Sequence, residues 1–466
     1  MKPFIPTDNS SSEPSLYIQL YRHIKDEILK GDLKIGEKLP SLRKLSSESG
    51  ISVTTASQAY DQLLTEGYIK SRPQSGYFVA EIPTSAVTTK DKTVPPHPEF
   101  DDFTFDREKH LFDLDTFDFL KWKKCSARVL SEYQDILLFE SDVQGEPALR
   151  FEICKYLYSS RGVSARPGQV VIGAGTQQLT SHLARILTIM GIDMVCTEDP
   201  GYLPIQNVFR DRGFAVAKIP VTDSGIMIDK LPANIPTAVY VSPANQFPTG
   251  SVMPIGARYR LLEWAKSNGS IILEDDYDSE LRYYGKPVPA LQGLDENDSV
   301  VYLGSFSSTL FPAIKISYMI LPEKMVRIFE SIKSDYTQTC SKAEQLTLAL
   351  FMEDGYYYTN IKKLRTLYAQ KIEAAAEAFL KYGSGIDVTN RRSGINLTLT
   401  VESKKTAEEL CAIGETLGLH MLPLSQSGYD VDDQSSKKRH LIFYFNQIPL
   451  DKIDSQIKLL VETWGL

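Results

Sequence analysis

The chain has 466 residues, 42% hydrophobic and 24% charged, with 51 Lys and Arg against 59 Asp and Glu for a net charge of −8. The length predicts about three domains, and the balance excludes wholesale disorder. No apolar run approaches the roughly 20 residues of a membrane helix, and the polar start MKPFIPTDNSSSEPS is no secretory signal, so a soluble, cytoplasmic protein without membrane contact is expected.

Cys125, Cys154, Cys196, Cys340 and Cys411 are odd in number and scattered, without a CxxC pair, and there is no HExxH. Neither a disulfide framework nor a metal site is expected. Charge is unevenly spread: residues 1–80 hold ten Lys and Arg against nine Asp and Glu, and the rest holds 41 against 50. A near-neutral head on an acidic body suits two modules with different partners.

In the head, Leu16, Leu20, Ile24 and Ile28 recur every four residues, which predicts a helix with one apolar face, stopped by Gly31. Ser41 precedes a short helix, LRKLSSES, which Gly50 ends. Ser52 caps a third, VTTASQAYDQLLTEG, with Val53, Ala56, Ala59, Tyr60, Leu63 and Leu64 expected on its inner face. Two helices joined by a tight turn read as a helix-turn-helix. After Gly67, two short strands flank Arg72-Pro73-Gln74-Ser75-Gly76, a hairpin or wing. Residues 81–100 contain Pro83, Pro95, Pro96 and Pro98 and read as a semi-rigid linker between a 1–80 domain and a 101–466 domain.

In the body, VVIGAG (170–175), MVCTEDPGY (194–202), AVYVSPANQFPTG (238–250), IILEDDYD (271–278) and VVYLGSFSS (300–308) each open as a buried strand and end in glycine or polar residues. Strands alternating with helical stretches predict parallel βαβ units, whose ligand pocket lies beyond the carboxyl ends of the strands. GAGTQQ lacks the third glycine of a dinucleotide fingerprint, since Gln178 stands there. It reads as a glycine turn opening a helix at Thr176, either purely structural or holding a phosphate on free N–H groups. GINLTLTV and RHLIFYFNQ read as strands of a small α/β subdomain, about 375–466, and 425–440 as a flexible polar loop.

The head carries G-x-x-L-P-S-x-R (Gly36 to Arg43), A-Y-x-x-L-x-x-E-G-Y (Ala59 to Tyr68) and S-G-Y-F-V (Ser75 to Val79). These make it resemble the winged helix of GntR-type transcription regulators. The resemblance implies that the third helix enters the major groove of double-stranded operator DNA with Thr54, Thr55, Ser57 and Gln58 outward, that Arg43 reaches the DNA, and that Arg72 and Gly76 form the wing contact. The family's frequent arginine after the capping serine is here Val53.

The body carries D-x-x-G-x-x-x-L-R (Asp142 to Arg150), R-G-V (161–163), E-D-P-G-Y (198–202), Q-F-P-T-G (246–250), E-D-D-Y-D-S-E (274–280) and S-F-S (305–307). In this order they resemble fold-type-I aminotransferases, which use pyridoxal 5′-phosphate (PLP). A GntR head on such a body resembles the MocR/GabR subfamily. The implied fold is an α+β winged helix followed by an α/β aminotransferase-like domain, and the implied assembly is a homodimer.

Carried over residue by residue, Gly175, Thr176 and Gln177 match the phosphate cradle. Tyr202 matches the ring-stacking aromatic, Asp275 the partner of the ring nitrogen, and Tyr277 the hydroxyl beside the ring oxygen. Asn245 and Gln246 approach the same edge, and Ser305 and Ser307 donate to phosphate. The pattern S-K-x-x-x-P-G-x-R instead reads Ser307-Ser308-Thr309-Leu310-Phe311-Pro312-Ala313-Ile314-Lys315. The imine-forming lysine is thus Ser308, and the clamping arginine is Lys315, which keeps the charge but loses the bidentate fork. Arginines for a substrate carboxylate are missing too: Leu203 and Pro204 follow the E-D-P-G-Y motif, and Asn446 is the counterpart of an F-x-R arginine. A serine hydroxyl can neither form an imine nor replace the lysine amine as base. The expected function is therefore a DNA-binding regulator whose body senses a small ligand without catalysis. That ligand is non-covalent PLP, a PLP–amino-acid adduct or a related amine; the alternatives are a residual PLP enzyme using Lys315, or a dimerisation scaffold.

Overall fold

The computed structural model describes residues 2–6, 14–82, 111–285, 288–427 and 437–466. The chain divides into two compact units, Met1–Thr104 and Phe105–Leu466. Of the expected linker, only Glu81 and Ile82 are among the described residues.

The first unit packs α1 (Leu16–Leu29), α2 (Leu42–Ser49) and α3 (Val53–Thr65) beside the hairpin β1 (Ile69–Arg72) and β2 (Gly76–Val79). Both inner helices start on serine caps: Ser41 Oγ accepts from the Lys44 amide at 3.3 Å and Ser52 Oγ from the Thr55 amide at 3.0 Å. Gly50 closes α2 at φ +64°, a left-handed conformation that glycine adopts without strain. Leu20, Ile24, Leu45, Ala56, Ala59, Tyr60 and Leu63 form the core. Val53 departs from expectation, being 46% exposed, and Leu64 is only half-buried. Both lie at the margin of the stripe centred on Ala56, Ala59 and Leu63, and Val53 sits on the first turn of its helix. Unforeseen was a third strand segment: Lys38 bridges to Phe78, with Leu39 N donating to Tyr77 O at 2.9 Å.

In the second unit an eight-stranded sheet runs β3-β10-β9-β8-β7-β4-β5-β6. Its strands are β3 (Val170–Gly173), β4 (Met194–Asp199), β5 (Ala215–Thr222), β6 (Gly225–Ile226), β7 (Ala238–Val241), β8 (Ile271–Asp275), β9 (Val300–Ser305) and β10 (Ser317–Ile320). The five expected strands are β3, β4, β7, β8 and β9. β5, β4, β7, β8 and β9 pair in parallel, whereas β10 is antiparallel to both β9 and β3, so the sheet is mixed. Side chains alternate between its faces. Val195, Tyr240, Leu273 and Val301 pack with Leu183 and Phe209 of the helices Thr176–Ile189 and Leu203–Asp211. Cys196, Val239, Val241 and Ile272 pack with Leu261 and Ala265 of Ile255–Asn268.

A second, antiparallel sheet follows, ordered β11-β12-β14-β13: β11 (Ile386–Thr389), β12 (Asn396–Glu402), β13 (Met421–Pro423) and β14 (Lys438–Tyr444). Its core begins before residue 375, taking Leu364, Tyr368 and Ile372 from the 27-residue helix Tyr356–Tyr382. Of the expected loop 425–440, residues 428–436 lie outside the described residues, and Lys438–His440 already belong to β14. No helix among the described residues is long and apolar enough to cross a membrane.

Candidate functional site

In the first unit, Arg43, Thr54, Gln58 and Arg72 are exposed, as expected. Thr55 and Ser57 are half-buried and engaged within α3: Thr55 Oγ1 lies 2.8 Å from Ser52 Oγ, and Ser57 Oγ donates to Asp61 Oδ2 at 3.4 Å. Gly76 opens β2 at φ +102°, directly opposite Arg72. The Arg72 guanidinium lies 4.7 Å from the Phe78 ring centroid, a cation–π contact that orients it. Lys38 and Lys70 both pair with Phe78, from opposite sides, and both are exposed. Arg72 lies two residues beyond Lys70, on the same side of the strand, so three cations share one face of the wing. Sequence reading named only one of them, because Lys38 sits outside the hairpin and joins it through a single bridge.

In the second unit, the carboxyl ends of β4, β7, β8 and β9 surround a cavity of about 540 Å³, as the parallel topology requires. Gly175, Thr176 and Gln177 form one wall, where the 14-residue helix Thr176–Ile189 starts. The first-turn N–H groups of a helix have no intrahelical acceptor, so this end favours an anion. Gly175 caps it at φ +96°, strained for any side chain. Ser305, Ser307, Ser308 and Lys315 line the cavity as well. Ser305 Oγ accepts from Ser317 Oγ at 2.9 Å. Lys315 is exposed and held at φ +48°.

Tyr202, Asp275 and Tyr277 line the cavity too. Tyr202 and Tyr277 each meet Phe247 edge-on, with ring centroids 6.2 and 5.9 Å apart, and Phe247 is itself in the wall. Burial pushes the Asp275 carboxyl up to about 7, against the pull of the hydrogen bond that Tyr240 OH donates to Oδ2. Burial also holds the Tyr277 hydroxyl well above its ordinary value, so it stays a neutral donor.

Three residues named from the sequence do not line the cavity. Asn245 does not line the cavity: it is buried, and its Oδ1 accepts from Ser393 Oγ at 2.9 Å, tying the loop after β7 to the small subdomain. Gln246 likewise turns away, its Nε2 donating to Pro200 O at 2.8 Å. Asn446 stands outside the wall as well, and its carbonyl takes Lys371 Nζ at 2.8 Å. Tyr444, the last residue of β14, lines the cavity instead; Asn446 lies beyond the end of the strand, where the alternation that would carry it to the same face no longer holds. Ser242, Phe247, Asp276 and Asp278 also line it and were not foreseen. Asp276 and Asp278 stood inside the E-D-D-Y-D-S-E motif, but nothing in that string separates the carboxylates that face inward from those that are consumed.

Asp276 is consumed. Arg161 grips it with Nε at 2.9 Å and Nη2 at 2.6 Å, and Tyr302 OH and Ser279 Oγ donate to Oδ2. Glu274 accepts the Leu291 and Gln292 amides. No group of three or more His, Cys, Asp or Glu is placed to hold a metal among the described residues.

Residues 16–79 match the family described as bacterial regulatory proteins, gntR family, and residues 113–436 match aminotransferase class I and II. The chain is 38% identical over 429 residues to the Bacillus subtilis HTH-type transcriptional regulator YdeL, covering 91% of this chain and 92% of that protein. It is 31% identical to MocR of Rhizobium meliloti, named a probable rhizopine catabolism regulatory protein, covering 88% and 87%. Among solved structures it resembles the Pyrococcus horikoshii kynurenine aminotransferase, at 25% identity and TM-score 0.65, over 76% of this chain and 89% of that one.

Proposed function

The chain belongs to the family of HTH-type transcription regulators that join a GntR domain to an aminotransferase class I and II domain, and from that premise we propose that its body is a ligand sensor without transaminase activity. DNA binding by the head follows from the family itself. One observation carries the sensor reading. Ser308 lines the cavity at the lysine position, while Asp275, Tyr277, Tyr202 and the Gly175–Gln177 turn line it unchanged.

The residues lining the cavity fit PLP held without covalent attachment, with Lys315 in place of the clamping arginine and without Asn245 or Gln246 at the ring edge. The helix N-terminus, Ser307 and Lys315 would hold the phosphate, Asp275 the ring nitrogen, and Tyr277 the ring oxygen. When bound, PLP supplies an aldehyde and an electron-withdrawing ring. Within the chain, Asp275 is held at the cavity by Tyr240, Tyr202 and Phe247 wall off one side, and Ser308 offers a hydroxyl where an amine base would be needed. The ligand is thereby bound and oriented but not turned over. Its binding alters regulation by favouring one arrangement of the assembly.

The purified protein is expected to bind PLP saturably and to show no added mass after borohydride reduction. Ser308→Lys should gain one trapped cofactor per chain. Trapped mass on the unaltered protein, or transamination of any amino acid, would overturn the reading and point to Lys315.

Two heads on a homodimer suit two half-sites. Phe112, Leu114, Leu120, Leu138 and Phe139 are exposed large apolar side chains that favour such an assembly. The operator complex is expected to hold two chains. Arg43→Ala and Arg72→Ala should each weaken it about tenfold or more and lower the salt slope by about one. A one-chain complex, or unaltered salt dependence, would count against this arrangement.

A further inference from the structure

Resting on the reading that the cavity takes a PLP-type ligand, we propose that it selects the amine form, a pyridoxamine 5′-phosphate-like ligand bearing a primary ammonium group, and that Asp278 beside Ser308 is the partner of that ammonium.

Asp278 is 2% exposed and lines the cavity. Both of its carboxylate oxygens are sealed from solvent and make no hydrogen bond. The neighbouring acids differ. Asp275 accepts from Tyr240, Asp276 is gripped by Arg161, and Glu274 accepts two backbone amides. No lysine or arginine among the described residues forms an ion pair with Asp278. The hydroxyls of Ser308 and Tyr277 and the Ile395 amide approach it and favour its charged form, but all three are neutral donors and bring no counter-charge. Burial outweighs them and lifts the carboxyl to about 6, so above neutral pH most of the group is charged and lacks a counter-ion. The surrounding tyrosines cannot supply a charge. Tyr277, Tyr283 and Tyr444 are all held neutral, partly by Asp278 itself. The backbone at Asp278 sits at φ +52°, a strained conformation maintained at some expense of stability.

A buried carboxylate without a partner costs several kcal/mol, and a cation brought to it recovers much of that. A lysine at 308 would place an ammonium next to Asp278. Serine does not, so the charge must come with the ligand. The aldehyde of PLP carries none. Pyridoxamine 5′-phosphate carries an ammonium on the same carbon that an imine lysine would attack, and so replaces the missing side chain in both position and charge.

The test is calorimetric titration of the full-length protein with pyridoxamine 5′-phosphate, PLP and pyridoxine 5′-phosphate, which bears a neutral hydroxyl in place of the amine. The expected result is binding of the amine at least about tenfold tighter than either neutral form. Asp278→Asn should bring the ratio of amine to alcohol affinity toward one. Ser308→Lys, which supplies its own cation, should do the same, and it decides the matter if the Asp278 variant does not fold. Equal affinity for all three ligands would overturn the proposal while leaving the cofactor-type cavity standing. Binding of none would overturn both. A preference for the amine that survives both substitutions would place the ammonium elsewhere and overturn the role of Asp278.

Discussion

Exchanging Arg161 for methionine is expected to destabilise the 105–466 unit by about 3–5 kcal/mol, the usual consequence of breaking a buried ion pair from one side. The two side chains are 2% and 1% exposed. Arg161 ends the helix Pro147–Arg161, a favourable place for a cation, and its Nη1 also donates to the Val288 carbonyl. Its loss would strand the Asp276 charge among Glu274, Asp275 and Glu280. Thermal unfolding followed by circular dichroism should show it, and a change under about 1 kcal/mol would mean that water or rearrangement neutralises Asp276. Arg161→Lys should recover only part, since an ammonium lacks the two-pronged geometry. The double exchange with Asp276→Leu should recover more, because no buried charge is then left.

The ligand-free protein should also become less stable as pH rises from about 5 to 8. Burial is the leading cause that raises Asp278 to about 6, Glu274 and Asp275 to about 7 and Glu198 to about 8, and it raises Glu280 as well. In the unfolded chain these groups ionise near pH 4. Between the two values the native state holds more protons than the unfolded state, so stability falls with rising pH and the loss is complete above the folded pKa. His182 and His420, lowered by burial, act in the opposite sense near pH 6, but they are two groups against five. A fall in Tm on the order of 5 °C across this window is expected. A flat or rising profile would mean that these carboxylates are solvated or paired in solution.

Five of the sheet's eight strands, the helix-turn-helix and the cofactor-type wall were legible because each rests on local signals: apolar runs ending in glycine or polar residues, serine caps, and a glycine turn before Thr176. β10 escaped notice because its four residues, Ser317–Ile320, follow the motif around Ser308 without a turn signal, and only pairing with β3 and β9 makes them a strand. β5 escaped for the opposite reason. Its exposure is irregular and mostly outward, so it shows neither a buried run nor an alternation. At the cavity the misses share one cause. Whether Asn245, Asp278 or Tyr444 faces inward depends on contacts between segments far apart in the chain, 148 residues in the case of Asn245 and Ser393. The Asn245–Ser393 bond is one such contact, and no local pattern encodes it.

The place of β10 also bears on how the chain is made. Among the described residues β3 pairs only with β10, some 145 residues later, and β10 must enter between β3 and β9. At roughly 5–20 residues per second, a ribosome needs about 7–30 seconds to make that stretch, during which β3 has nothing to pair with. The head needs no such wait, since every contact of its core lies within the first 82 residues. Synthesis therefore releases a finished reader of DNA while its regulatory half still has an open sheet edge, and chaperone capture during translation should fall mainly on nascent chains halted between residues 173 and 317.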